Sequence, residues 1–165
     1  MAKTLQEEIR QSKPFGSKRE EALLGLMRTA DLMRRVNNGL LEPFGVTVQQ
    51  YNVLRILRGA GKDGLPTLEI ADRMIEQTPG ITRLLDRIEA KGWVKRARCP
   101  KDRRQMLCTI TPEGLALLER TDEPISALGE KALGSLSDNQ VRTLIRLLDN
   151  VRQNQGENHD GLETT

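Results

Sequence analysis

From Glu20 to Leu41 the apolar residues Leu23, Leu26, Met27, Ala30, Met33, Val36 and Leu40 recur at steps of three and four, the stripe of an amphipathic helix. Pro43 and Gly45 end it. Thr47 stands where an N-cap is needed for a second helix. Its Tyr51, Val53, Leu54, Ile56 and Leu57 leave little polar face, so that helix is expected to be largely buried before GAGKDG, residues 59–64, closes it. Pro66 and Thr67 open a short third helix, with Thr67 as cap and Leu68, Ile70, Ala71 and Met74 as apolar contacts. The stretch EQTPG leads into a fourth, with Thr78 as N-cap and Pro79 at the first helical position, where a missing N–H costs nothing.

On this fourth helix Ile81, Leu84, Leu85 and Ile88 follow i, i+3, i+4, i+7 spacing and face the core. Pro79, Arg83, Asp86 and Ala90 then lie opposite, flanked by Thr82 and Arg87. Gly92 stops the helix, WVKRARC alternates as a strand, PKDRR turns, and QMLCTI returns. Helix, tight turn, helix and a basic-tipped hairpin make a winged helix-turn-helix over residues 47–112. A fifth helix opens with Thr111 as cap and Pro112 in first position, and Pro124, with Gly129 and Gly134 nearby, predicts a kink or break in it. A sixth begins at a Ser137–Gln140 capping box and carries Val141, Leu144, Ile145, Leu148 and Val151 as its stripe. Residues 1–19, polar and broken by Pro14 and Gly16, read as a flexible arm or a short helix with no fixed structure assigned, and 153–165 as a disordered tail. The fold class is mainly α with a small β-hairpin wing. The first and last helices (20–46 and 113–152) carry apolar faces that so small a core cannot cover alone, so they are expected to pack against a second copy. Met27, Met33 and Met74 read as core packing.

Charge sharpens this picture. The chain has 165 residues with a net charge of only +3, one subunit's worth of sequence and no generic polycation. Yet nine basic residues face three acidic ones between Thr78 and Arg104, a local net of +6, and six of the basic residues fall in the ten positions from Lys95 to Arg104. An anionic partner is therefore met by one patch. Arginine can donate a two-pronged hydrogen bond to guanine or reach a phosphate, and a narrow hairpin tip can deliver a guanidinium into an A·T-rich minor groove. Asp102, at first sight misplaced there, reads as an orienting partner that accepts hydrogen bonds from a neighbouring arginine and fixes its fork.

Several classes are excluded on residues. GAGKDG lacks the first glycine of a phosphate-binding loop, with Ile56 in its place, and has Asp63 where a hydroxyl must hold magnesium. Two cysteines and one tail histidine, His159, make neither a disulfide framework nor a zinc site, and a hairpin centred near Asp102 sets Cys99 closer to residue 105 than to Cys108. No convergent acid, base and nucleophile set suggests an enzyme, and no cofactor or metal is implied. No apolar run approaches the roughly 18 residues of a membrane span, which points to a cytoplasmic protein without membrane partners.

The segments QQYNVLRIL, TPGITRLLDRIEAKGWV and, most specifically, DRR followed by TITPEG resemble the MarR (multiple antibiotic resistance regulator) family, in order over about residues 20–152. The resemblance implies a transcriptional regulator that binds double-stranded DNA as a homodimer. It implies recognition-helix contacts at Thr78, Pro79, Gly80, Thr82, Arg83 and Arg87. At the wing, where Arg98 adds charge, an Asp-x-Arg element at Asp102 and Arg104 would hold the tip so that either Arg103 or Arg104 enters the minor groove. It also implies a repressor on a pseudo-palindromic operator, released by a small aromatic or amphipathic effector, although four aromatic residues mark no effector box. The alternatives are a winged-helix protein-interaction module and a redox-responsive regulator using Cys99 and Cys108.

Overall fold

Val53, Leu54, Leu57, Ile70, Leu85, Ile88, Leu117 and Leu118 are all withdrawn from solvent, and the helices that carry them set the fold. The computed structural model describes residues 3–100, 102 and 104–159, with side chains as far as residue 154. In chain order the elements are α1 (Leu5–Glu8), α2 (Lys18–Leu41), α3 (Val48–Ala60), β1 (Leu65–Pro66), α4 (Thr67–Asp72), α5 (Ile81–Ala90), β2 (Val94–Arg98), β3 (Met106–Ile110), α6 (Pro112–Leu133) and α7 (Asp138–His159). Short 3-10 turns follow α2 and α3. The chain divides into two compact units, Met1–Glu123 and Pro124–Thr165.

In the first unit, α3 is the centre of the core. Thr47 and Gln50 close the capping box at its start, and Val53, Leu54 and Leu57 are buried from its middle to its end. The sheet is antiparallel in the order β1-β3-β2, with Leu65 opposite Cys108 and Arg96 also opposite Cys108 on the other side. The third strand, β1, is absent from the hairpin expected of the sequence. It is two residues long and sits at the edge, where Pro66 withholds no donor from a partner. Gly64 makes it possible: at φ +67° a Cβ there would lie 2.5 Å from the Cys108 carbonyl oxygen.

This pairing corrects the start of α4. Because Leu65 and Pro66 are drawn into the sheet, the N-cap falls on extended Pro66, which has no side-chain acceptor, and Thr67 becomes the first helical residue instead of the cap. The joint between wing and α6 is equally tight. Thr111 donates its hydroxyl proton to the Gly92 carbonyl (2.7 Å) and accepts from the Gly114 amide (3.1 Å), the expected cap. Gly114 packs so closely that a Cβ would come within 2.3 Å of the Trp93 carbonyl oxygen.

Other expectations change. The helix α6 is continuous through Pro124, so the break does not occur. A proline deletes one ladder bond, and the preceding turns are held by buried Leu117, Leu118 and Thr121 and by the Arg58–Asp122 ion pair at 2.7 Å. Of the two readings of the N-terminal segment, the short helix is the one found: the one-turn α1 is capped by Thr4 and Glu7 and tied to α2 through Glu8 and Arg28 at 2.9 Å. Helix α2 starts two residues early, at a Ser17 cap. In the second unit, Ser137 and Gln140 form the expected capping box, and α7 carries residues 153–159 that were expected to be disordered. Of the three methionines read as core, Met74 is buried and Met33 half-buried, but Met27 is 60% exposed, on the α2 stripe. No helix among the described residues is long and apolar enough to cross a membrane.

Two glycines separate packing from propensity. Gly114→Ala is expected to lower unfolding stability by about 1–3 kcal/mol, because overpacking against a main-chain carbonyl cannot relax by a rotamer change. Gly59→Ala, in α3 with nothing within 4 Å of the new methyl, is expected to raise it by about 0.5–1 kcal/mol. Urea midpoints of the two variants check both signs.

Candidate nucleic-acid interface

Helix α5 is oriented by Leu84, Leu85 and Ile88, all buried, with Ile81 half-buried at its first turn. Thr82, Arg83, Asp86, Arg87 and Ala90 are therefore exposed together on the other side, as their spacing requires. The start of the helix differs from expectation. Gly80, at φ +85°, is the N-cap, and since a left-handed residue cannot lie inside a right-handed helix, α5 begins only at Ile81. Pro79 forms the turn before it, and Thr78 turns its hydroxyl back to donate to the Glu76 carbonyl (3.2 Å) in place of capping. No side chain caps the first amides of α5, and Pro79 and Gly80 beside them are exposed.

The turn that leads into α5 is held from two sides, neither of which the sequence signals. Buried Asn52 on α3 accepts the Ile75 amide at 2.9 Å. Arg34 on α2 donates to Glu76 at 2.9 Å, and that hydrogen bond is the main reason the guanidinium holds its proton more tightly than usual.

At its other end α5 closes in a Schellman turn: the Gly92 amide donates to Glu89 (2.8 Å) and the Trp93 amide to Ile88 (3.2 Å), with Gly92 at φ +74°. Lys91, counted among the basic residues of the patch, is exposed but tied to the protein's own backbone. Its Nζ donates to the Gly45 carbonyl (2.6 Å) and lies 4.5 Å from the Trp93 ring centroid. Arg96 is committed too. From β2 its guanidinium reaches Asp86 (2.5 Å) and Glu89 (2.6 Å) on α5, and its backbone amide donates to the second Glu89 oxygen (3.0 Å).

The wing carries Lys95, Arg98, Asp102 and Arg104 exposed. Arg103, the other candidate for minor-groove entry, and Lys101 lie outside the described residues. Asp102 does orient its neighbour, but through the main chain: its Oδ1 accepts the Arg104 backbone amide at 3.0 Å, and its carbonyl accepts the Gln105 amide at 3.0 Å. The carboxylate thus shapes the turn instead of gripping the Arg104 fork, because two residues of separation favour a local side-chain to backbone bond. The Cys99 amide donates to Gln105 at 2.9 Å, the register expected, and both cysteines are free thiols. Cys108 is fully buried, and burial pushes its thiol pKa up, against a smaller opposing pull from Arg96.

A groove of about 600 Å³ runs between α4, the start of α5 and the wing, and Thr82, Arg96, Arg104 and Met106 share its walls. Of the recognition-helix and wing residues singled out in the sequence, Thr82 and Arg104 line this concave surface. Among the described residues no cluster of three or more potential metal ligands occurs.

Two short helices joined by a tight turn, followed by a paired wing, define a winged helix-turn-helix protein. Residues 44–105 match the model of the MarR family. The multiple antibiotic resistance protein MarR of Salmonella typhimurium is 32% identical over 118 residues, which is 71% of this chain and 81% of that protein. A MarR transcription factor from Planctomyces limnophilus superposes with a TM-score of 0.63 at 40% identity, over 82% of this chain and 98% of that one. A mutant MarR from E. coli, solved in complex with operator DNA, gives a TM-score of 0.70 at 28% identity, over 89% of this chain and 97% of that one. The chain belongs to the MarR family of winged-helix transcriptional regulators.

If Asp102 works through the Arg104 amide, Asp102→Asn is expected to keep the turn, since an amide oxygen accepts the same bond, and to bind duplex DNA at least as tightly as the parent with one negative charge fewer. Asp102→Ala loses that hydrogen bond and is expected to weaken binding. Titrations of the two variants at one salt concentration check the order.

Proposed function

We propose that the protein binds double-stranded DNA as a homodimer, with α5 in the major groove and the wing tip in the adjacent minor groove, and represses transcription by occupying its operator. The observation that carries the reading is that exposed Thr82 on α5 and Arg104 on the wing line one groove, with Arg83, Arg87, Lys95 and Arg98 exposed on the same two elements. The uncapped first turn of α5 adds backbone amides suited to a phosphate. Recognition falls to Thr78, Pro79, Gly80, Thr82, Arg83 and Arg87 on the helix side and to Arg98, Asp102, Arg103 and Arg104 on the wing.

A second copy accounts for apolar surface that each unit leaves open. In the first, Leu23 and Met27 of α2 are 56% and 60% exposed; in the second, Ile145 and Leu147 of α7 are 55% and 52% exposed. Two-fold symmetry would set two recognition helices about 34 Å apart, on half-sites roughly ten base pairs apart. Release by a small amphipathic effector fits a cleft of about 240 Å³ where Ala30 and Met33 of α2 face Val48 and Met74, with Arg34 and Glu76 at its rim.

Selection from random duplexes is expected to recover an imperfect palindrome with that spacing. On the recovered duplex Arg83→Ala relaxes preference at one base pair, whereas Arg104→Ala weakens binding on all sequences. If about six to ten phosphates are neutralised, log affinity falls against log salt with a slope of about −5 to −9. No enriched sequence, or equal binding by the parent and both variants, refutes the reading.

A further inference from the structure

Arg96 stands on β2, opposite Cys108 of β3, and reaches across to α5. Its side chain is only 20% exposed. Nε donates to Glu89 at 2.8 Å, and Nη2 bridges Glu89 and Asp86 at 2.6 and 2.5 Å. Glu89 in turn holds the Arg96 backbone amide with its other oxygen, so a single carboxylate binds both the main chain and the side chain of one wing residue. Only three residues, Lys91 to Trp93, separate the end of α5 from β2, and beyond that corner the Arg96 side chain makes a second contact back onto the helix, nearer the wing tip. Among the described residues the Arg96 clamp is the ion-paired tie between α5 and the wing.

We infer that Arg96 is a positioning residue: it locks the wing to the recognition helix through Glu89 and Asp86, so that α5 and Arg104 engage DNA as one rigid body. The inference rests on the DNA-binding reading above. It runs against simple charge counting. Two carboxylates on a helix that faces a polyanion repel it, and a guanidinium paired with them is lost to phosphate contact. Both costs are tolerated if the geometry they enforce is worth more to specific binding than the attraction forgone. A planar fork with donors on two sides is what one residue needs to bridge two carboxylates, which a lysine cannot reproduce.

The test uses the full-length protein, the duplex recovered by selection and a random-sequence duplex. Glu89→Leu removes a negative charge and leaves the Arg96 guanidinium with Asp86 alone, so charge alone predicts tighter binding to both duplexes. The clamp predicts that affinity for the selected duplex falls on the order of tenfold or more, the scale of a lost charged hydrogen bond, while the random duplex is bound as well or better. Arg104→Ala, costly in the parent, is expected to cost little in the Glu89→Leu background, because an untethered wing no longer presents that arginine. Arg96→Lys is expected to behave like the clamp-broken variant, whereas a phosphate-contacting residue would tolerate it.

Glu89→Gln, which keeps the shape but puts a donor in place of one of the two acceptor oxygens that Arg96 uses, serves where the leucine variant fails to fold, and thermal unfolding identifies that case. Amide hydrogen exchange in the DNA-free protein reads the clamp directly: residues 95–106 are expected to exchange faster in Glu89→Leu and Arg96→Lys, with the core amides of α3 unchanged. Unchanged wing exchange, tighter binding of the selected duplex by Glu89→Leu, a parent-like Arg96→Lys, or additive losses with Arg104→Ala would each overturn the clamp and leave DNA binding standing. A parent protein that selects no duplex would instead refute the DNA-binding reading, with the exchange measurement still reporting on the clamp.

Discussion

The passage from α5 into β2 is the constraint on which the DNA-facing surface depends. A helix must stop and a strand must start within Lys91, Gly92 and Trp93, and the two must leave that corner at one fixed angle. Gly92 supplies the left-handed turn. The Trp93 carbonyl accepts the Thr111 amide at 3.0 Å and tolerates Gly114 against it, which ties the start of α6 to the same point. Lys91 pins the corner to Gly45 at the far end of the α2–α3 connection, and Arg96 ties the strand back onto the helix. Helix direction, wing direction and the entry to α6 are thus set by one small knot of main-chain and side-chain contacts, and loosening any part of it moves the recognition surface as a whole.

Much of this architecture is legible in the chain because it is written in local terms. Periodicity marks the stripes of α2, α3, α5 and α7, and the caps at Thr47, Thr111 and Ser137 are satisfied as read, since a capping residue and its amide partner lie three positions apart. The hairpin register follows from the turn alone. The errors share a cause as well. Thr67 and Thr78 look like caps by type, but sheet pairing at Leu65–Pro66 and a positive φ at Gly80 relocate the helix starts. The strand β1 is too short to show a period, and the partnerships of Asn52 with Ile75 and Lys91 with Gly45 join residues 23 and 46 positions apart, where no local pattern reaches.

The same distinction governs charge. The sequence places a net +6 between Thr78 and Arg104, yet the fold sorts those residues into different duties. Arg96 is matched by Asp86 and Glu89, and Lys91, though exposed, is bonded to the Gly45 carbonyl, whereas Arg83, Arg87, Lys95, Arg98 and Arg104 are exposed on α5 and the wing. Asp102, an anion at the tip of a basic hairpin, is there for the shape of the turn. Membership of the MarR family accounts for the arrangement of elements; which cation reaches a phosphate and which holds the frame is decided by these individual contacts.

The two thiols lie within nine positions of each other yet in opposite settings, Cys108 sealed in the sheet and Cys99 half-exposed at the root of the wing tip. The native chain therefore offers one addressable sulfur at the part of the molecule whose motion matters most, and a fluorophore or spin label attached there would follow the wing without any cysteine having to be introduced or removed.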